Sequence, residues 1–250
     1  QRNHERGYQG MKKTIGILGG MGPEATAYFY ELIIKKTKAN KDQGHIPIII
    51  YSNPKIPPRT DAILKKGPSP TPLLIKGVRR LRKAGADFIV MPCVTAHYFY
   101  LEVAAQEKFL FLNLLDESLI WTQKNLSGLR KAGLIASTGT LESRLFHDAF
   151  EKGGIEVIGP NDEEQEQVMK AIFGRKGIKA GYTSGDPKKI IVNTANALVQ
   201  RGAGAVIAGC TEVPLVLKEE DIPVPLIEPL SILAEASILE AGYALRGEKS

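Results

Sequence analysis

Apolar positions along this chain follow two periods. Short, nearly unbroken apolar runs, Thr14–Leu18, Ile46–Tyr51 and Asp87–Met91, read as strands. Between them, from about Pro23 to Lys38 and from Leu73 to Ala84, apolar residues recur at helical spacing. The pattern then restarts: a strand at Ala132–Ala136, a helix over Leu141–Lys152, a strand at Glu156–Ile158, a helix near Pro187–Arg201 and a strand at Ala205–Ala208. Strands alternating with helices of about 10–15 residues predict βαβ units around a parallel sheet. Such a sheet is buried on both faces, so its strands are continuously apolar rather than alternating.

The restart has a fixed offset. A shift of 117 positions sets Gly16-Ile17-Leu18 on Gly133-Leu134-Ile135 and Gly22 on Gly139. The same shift sets Leu81, Gly85 and Ala86 on Leu198, Gly202 and Ala203, and Cys93 on Cys210. One offset sustained over regions this far apart is the signature of an internal duplication. The expected architecture is α/β: two pseudo-symmetric domains, each a parallel sheet sandwiched between helix layers in three layers, with the active site in the cleft between them.

Composition narrows the class. The chain has 250 residues, 43% hydrophobic and 24% charged, which suits a globular protein with a substantial core. Its net charge of +6 is scattered and does not interleave with aromatics, so no nucleic-acid partner is expected. No apolar run approaches the roughly 20 residues of a membrane span. Gln1–Gly10 is polar and lacks the hydrophobic segment of a signal peptide, so residues 1–10 read as a leader or appended remnant ahead of Met11. Two cysteines without an export signal point to a reducing, cytoplasmic setting, where a structural disulfide is not expected.

The cysteines then need another explanation. Each directly follows a strand, in Phe88-Ile89-Val90-Met91-Pro92-Cys93 and Val206-Ile207-Ala208-Gly209-Cys210. Ligands of open parallel sheets bind beyond the carboxyl ends of strands, and a helix starting there lowers a thiol pKa and attracts carboxylates. A lone cysteine more often fills a core. Two cysteines related by a repeat, both at strand ends, instead place two sulfurs on either side of one site. That geometry suits inversion of a stereocentre, one thiolate removing the Cα proton and the opposite thiol returning one. Thr95 and Thr211 follow closely and offer hydroxyl donors. Gly20-Met21-Gly22 supplies two glycines of a dinucleotide fingerprint, but Ala25 stands where the third belongs, so the turn reads as a strand-to-helix connection. Ser137-Thr138-Gly139-Thr140 is its repeat counterpart. Arg59 follows a proline-stiffened loop and could pair with a carboxylate through two hydrogen bonds. His97 reads as a structural histidine. Two cysteines and His97 do not make a zinc site, so no metal is expected.

Taken together, Gly16–Thr26, Ser52-Asn53-Pro54-Lys55-Ile56-Pro57, Pro92-Cys93-x-Thr95-Ala96-His97 and Gly209-Cys210-Thr211-Glu212 resemble the aspartate/glutamate racemase family, and within it the aspartate racemase branch. The resemblance implies a two-domain α/β fold in which the last segment returns to the first domain: 11–115 plus 226–250, against 116–225. It implies Cys93 and Cys210 as the catalytic pair, with no pyridoxal phosphate or other cofactor and no metal. It implies that Thr95, Thr138 and Thr211 hold the α-carboxylate, that Arg59 and Lys179 hold a side-chain carboxylate, and that Met21, Gly22, Ser52, Asn53, Val94 and Glu212 complete the substrate site. A homodimer acting on a small acidic amino acid, aspartate or glutamate, follows by the same resemblance. One position departs from the pattern: Val94 stands where the family usually has asparagine. Losing that buried donor costs about 1–3 kcal/mol and puts an apolar wall near the α-carbon. Two other readings therefore stay open: a racemase of a different or broader substrate (a neutral amino acid or a hydantoin), and a small-ligand-binding homologue without catalysis. Intact thiols at both positions argue against the last.

Overall fold

The computed structural model describes residues 12–247; the expected leader at 1–10 lies outside the described residues. In chain order the first half comprises β1 (Ile15–Gly19), α1 (Pro23–Lys36), β2 (Ile48–Ser52), α2 (Arg59–Ile63), α3 (Thr71–Lys83), β3 (Phe88–Val90), α4 (Tyr100–Gln106), β4 (Phe111–Leu112) and α5 (Leu114–Asn125). The second comprises β5 (Lys131–Ile135), α6 (Thr138–Glu142), α7 (Leu145–Glu151), β6 (Glu156–Ile158), α8 (Asp162–Phe173), α9 (Asp186–Gln200), β7 (Ala205–Ala208) and β8 (Leu226–Ile227), followed by α10 (Pro229–Glu240). Two parallel sheets result among the described residues, ordered β2-β1-β3-β4 and β6-β5-β7-β8.

The duplication holds at the level of register. Ile15 pairs with Phe88 in the first sheet and Ala132 with Ala205 in the second, each residue displaced by the same 117 positions. The outer strands have drifted: Ile48 and Val157 oppose equivalent residues at an offset of 109, so the loops, not the central pairs, absorbed the changes. The helix ends also repeat. Ala86 N–H bonds Leu81 O and Ala203 N–H bonds Leu198 O, both at 3.1 Å, around Gly85 and Gly202 at φ +98 and +91. This closing turn places one residue in the left-handed region, where glycine carries no Cβ penalty.

Strand alternation sorts the core into layers. Ile15, Ile17, Phe88 and Val90 join Ala132, Leu134, Ala205 and Ile207 in one central core that runs through both halves. The opposite strand faces, Leu18, Ile89 and Met91 in one sheet and Ile135, Val206 and Ala208 in the other, pack under separate outer cores.

Two local expectations are corrected. The helix expected over Leu141–Lys152 is two helices, because Arg144 takes a left-handed φ of 54 and starts α7 anew. Short 3₁₀ turns, Val94–Phe99 and Val213–Leu215, rather than α-helices, follow the two cysteines. Leu226–Ile227 pair with β7 inside the second sheet, so a division at 226 falls just before that strand. From α10 onward the chain packs on the first half: Lys13 N–H bonds Ala241 O at 3.1 Å and Lys36 pairs with Glu235 at 2.7 Å. Among the described residues no helix is long and apolar enough to cross a membrane.

Candidate active site

Between the halves lies a cavity of about 370 Å³ that both cysteines line. Each is carried there by the first residues past a central strand. Beyond β3 the backbone turns so that Ala96 N–H bonds Cys93 O at 3.2 Å; beyond β7, Val213 N–H bonds Cys210 O at 3.0 Å. These two bonds are equivalent under the repeat, so the same turn presents both thiols. The cysteines are unpaired and buried.

Met21, Arg59, Val94, Thr95, Lys179, Thr211 and Glu212 line the same cavity, so most of the expected site residues are gathered there. Gly22 closes one edge: a Cβ at that position would stand 3.4 Å from both Glu212 Oε1 and Lys179 Nζ. Gly139, its repeat counterpart, closes the other, since a Cβ there would meet Thr60 Oγ1 at 2.6 Å. Each half thus uses the same glycine to admit side chains from the opposite half.

Three expected residues lie elsewhere. Thr138 turns away, accepting a bond from Gln165 Nε2 at 3.2 Å, while its neighbours Ser137 and Thr140 face the cavity. A helix of this handedness cannot present residues 137, 138 and 140 together, and only the first and last share a side. Asn53 shapes the turn after β2, its Oδ1 accepting from Lys55 N–H at 3.1 Å and its own N–H bonding Gly19 O at 3.1 Å. Ser52 ends β2 beside Gly19 and is not among the cavity walls. Sequence reasoning missed Pro58, Thr60, Asp61, Met169 and Phe173. Met169 and Phe173 sit one turn apart on α8, and that spacing is the signal that could have found them.

Arg59, Lys179 and Glu212 are already engaged. Arg59 donates to three backbone carbonyls, Ile56 O at 3.2 Å, Pro57 O at 2.9 Å and Met21 O at 3.0 Å, and so ties the loop after β2 to the glycine turn after β1. Its Nε is buried without a partner. Lys179 forms a short ion pair with Glu212 Oε1. Burial opposes the Lys179 charge, but Glu212 and the two nearby cysteines outweigh it and raise the ammonium pKa. Cys210 Sγ–H donates to Glu212 Oε2 at 3.0 Å. Burial first, and then the Glu212 charge, push the Cys210 thiol well above its ordinary value. His97 stands behind the site. Its Nε2 accepts from Leu114 N–H at 3.2 Å, which leaves the proton on Nδ1 to donate to Cys93 O at 2.9 Å. Among the described residues, no three His, Cys, Asp or Glu side chains gather where a metal ion could be held.

Comparison with known proteins places this arrangement. The "Asp/Glu/Hydantoin racemase" family model matches residues 18–237. A broad-specificity amino-acid racemase, RacX, of Bacillus subtilis (strain 168) is 27% identical over 232 residues, covering 90% of this chain and 96% of the relative. The solved aspartate racemase of Picrophilus torridus superposes with a TM-score of 0.83 at 31% identity, covering 94% of this chain and 96% of that one. A glutamate racemase from Francisella tularensis, solved with D-glutamate, shares the fold at a TM-score of 0.66 and 16% identity, with 95% and 85% covered. The two-sheet fold and the match over nearly the whole length give one conclusion: the chain belongs to the Asp/Glu/hydantoin racemase family.

Proposed function

We propose that the protein racemises amino acids without a cofactor, using Cys93 and Cys210 as the two acid–base groups. The observation that carries this reading is that the repeat-related cysteines line one cavity between the halves. A thiolate on one side removes the Cα proton, and the thiol on the other returns a proton to the opposite face. The enantiomer follows the same path with roles exchanged. The carbanion that develops needs its α-carboxylate held by donors in a dry site. Thr95 and Thr211 would do so, supported by the hydroxyls of Ser137, Thr140 and Thr60 in the same cavity wall.

Substrate has two readings. Arg59 and Lys179 are the cations available for the side-chain carboxylate of aspartate or glutamate, in keeping with the aspartate racemase that the fold resembles. A specific observation favours a broader substrate range: both cations are already engaged, and Met21, Val94, Met169 and Phe173 give the cavity an apolar side. The similarity to a broad-specificity racemase points the same way. Incubating each enantiomer of aspartate, glutamate, leucine and methionine in deuterated water without added cofactor tests the reaction and ranks the substrates. Deuterium entering Cα as optical rotation decays is the expected result. Cys93→Ala and Cys210→Ala should each reduce racemisation by a factor of roughly a thousand or more; retention of most activity by either variant would sink the two-thiol mechanism.

A further inference from the structure

The cysteines are equivalent under the repeat, but the residues two places beyond them are not: the 117-residue shift sets Thr95 on Glu212. Cys93 Sγ lies 3.5 Å from the neutral Thr95 hydroxyl, and either atom can donate. Cys210 Sγ lies 3.0 Å from a carboxylate oxygen. Every side-chain partner of that carboxylate is a donor: Cys210, the Thr211 hydroxyl at 3.1 Å and the Lys179 ammonium. With three donors around it the carboxylate only accepts, so the thiol keeps its proton to make its bond. Glu212 is only 2% exposed, and water does little to screen its charge from Cys210.

We propose that Glu212, braced by Lys179, is a positioning residue for the transferred proton, keeping it on Cys210 in the resting enzyme so that the free site favours the enantiomer whose Cα–H faces Cys93. The inference rests on the two-thiol reading above. The other ionisable groups lining the cavity are Cys93, Asp61 and Arg59, and Arg59 is turned to backbone carbonyls. Lys179 opposes the effect of Glu212 on Cys210, and burial reinforces it.

The proton balance fixes what this bias does. In the favoured direction Cys93 thiolate takes the Cα proton and becomes a thiol. Cys210 gives its proton to the opposite face and becomes a thiolate beside the Glu212 charge, an unfavourable state that resets after product leaves, when Cys210 takes a proton from solvent and Cys93 gives one up. The other enantiomer must enter through that minority state. Two enantiomers have equal free energy, so kcat/KM must be the same in both directions whatever the bias. The asymmetry is confined to its components: the enantiomer met by Cys93 has the lower KM and, by the same factor, the lower kcat.

Two measurements test this. Progress curves from each pure enantiomer of an amino acid that the wild type racemises should give kcat values that differ about tenfold or more, and Glu212→Gln should bring them within about twofold, since a charge at this distance is worth an order of magnitude or more. Independently of any substrate, the pH profile of Cys210 alkylation by iodoacetamide is read in a Cys93→Ala background. Glu212→Gln should move it down by about one pH unit or more. The Glu212→Gln/Lys179→Met double variant leaves no unpaired buried charge and should shift in the same direction, which separates the effect from misfolding. A profile that stays put or rises, or a kcat ratio unchanged in Glu212→Gln, overturns the proposal while leaving racemisation intact. Absence of turnover in the wild type, with the alkylation profile still responding to Glu212, would overturn the two-thiol reading and retain the coupling of Glu212 to Cys210.

Discussion

His97 shows what a single side chain contributes by staying neutral. Burial lowers its pKa, and both ring nitrogens are engaged, one as donor and one as acceptor. The unfolded chain therefore takes up a proton near pH 6.5 that the folded one refuses, so the contribution of His97 to stability is complete above that pH and declines below it. Comparing thermal or denaturant unfolding of wild type and His97→Asn isolates this term. The variant should be less stable by about 1–3 kcal/mol at neutral pH, because the Leu114 N–H loses its acceptor. The gap should shrink as pH falls below 6.5, by up to about 1.4 kcal/mol per unit. Arg59 makes a second residue-scale case. As a holder of a side-chain carboxylate, its replacement by alanine would weaken aspartate and glutamate alone. As the clamp between Met21 and the loop at 56–57, its loss should lower kcat/KM about equally for acidic and neutral substrates, by roughly tenfold for lost positioning. A substrate panel read by polarimetry decides between them. Cys93, Cys210, Thr95 and Thr211 were legible in the sequence because strand-end position and offset are sequence properties. That Arg59 points at carbonyls was not, because three prolines shape the loop and only coordinates show where its guanidinium lands.

At the scale of elements, the repeat rests on close approaches that glycine permits. A Cβ at Gly16 would meet Ile89 Cδ1 at 2.7 Å and Ala86 Cβ at 2.8 Å; at Gly133 it would meet Leu198 Cβ at 2.8 Å. At Gly16 the side chain of β3 and the turn before it would have to give way, and at Gly133 α9 would have to move off the strand. Gly16→Ala and Gly133→Ala should each destabilise by about 1–3 kcal/mol, as overpacking does, read as a drop in the midpoint of urea unfolding; two unaffected variants would mean that the sheets relax freely. The central strands β1, β3, β5 and β7 were legible because both faces are apolar. β4 and β8 were not, since two residues each cannot express a period. α8 opens with Asn161 in a capping box with Glu164, a sequence signature that a search starting from apolar runs passes over. α6 and α7 were merged because nothing in the composition of Leu141–Lys152 announces that Arg144 turns left-handed.

For the whole molecule, the two-thiol proposal makes catalysis depend on how tightly the halves close. α2 of the first half rests on α6 of the second through Thr60 and Gly139, with Thr60 Cα only 3.0 Å from where a Cβ would stand. Gly139→Val should wedge the halves apart and lower kcat/KM by about a hundredfold, since displacements near 1 Å between reacting groups have that effect. The outer core of each half lies away from this seam, so far-ultraviolet circular dichroism should stay close to wild type; unchanged turnover would show that the seam tolerates widening. The duplicated register has a consequence at this scale. Two identical half-chains meeting about a twofold axis must carry the same residue at both equivalent positions, so any side chain set beside one sulfur would also stand beside the other. Joining the halves in one polypeptide lifts that constraint: position 95 and position 212 can mutate separately, and a threonine can face a glutamate across the same axis. Covalent fusion makes left and right separately heritable, and an enzyme that must treat mirror images with equal efficiency gains a way to hold them differently.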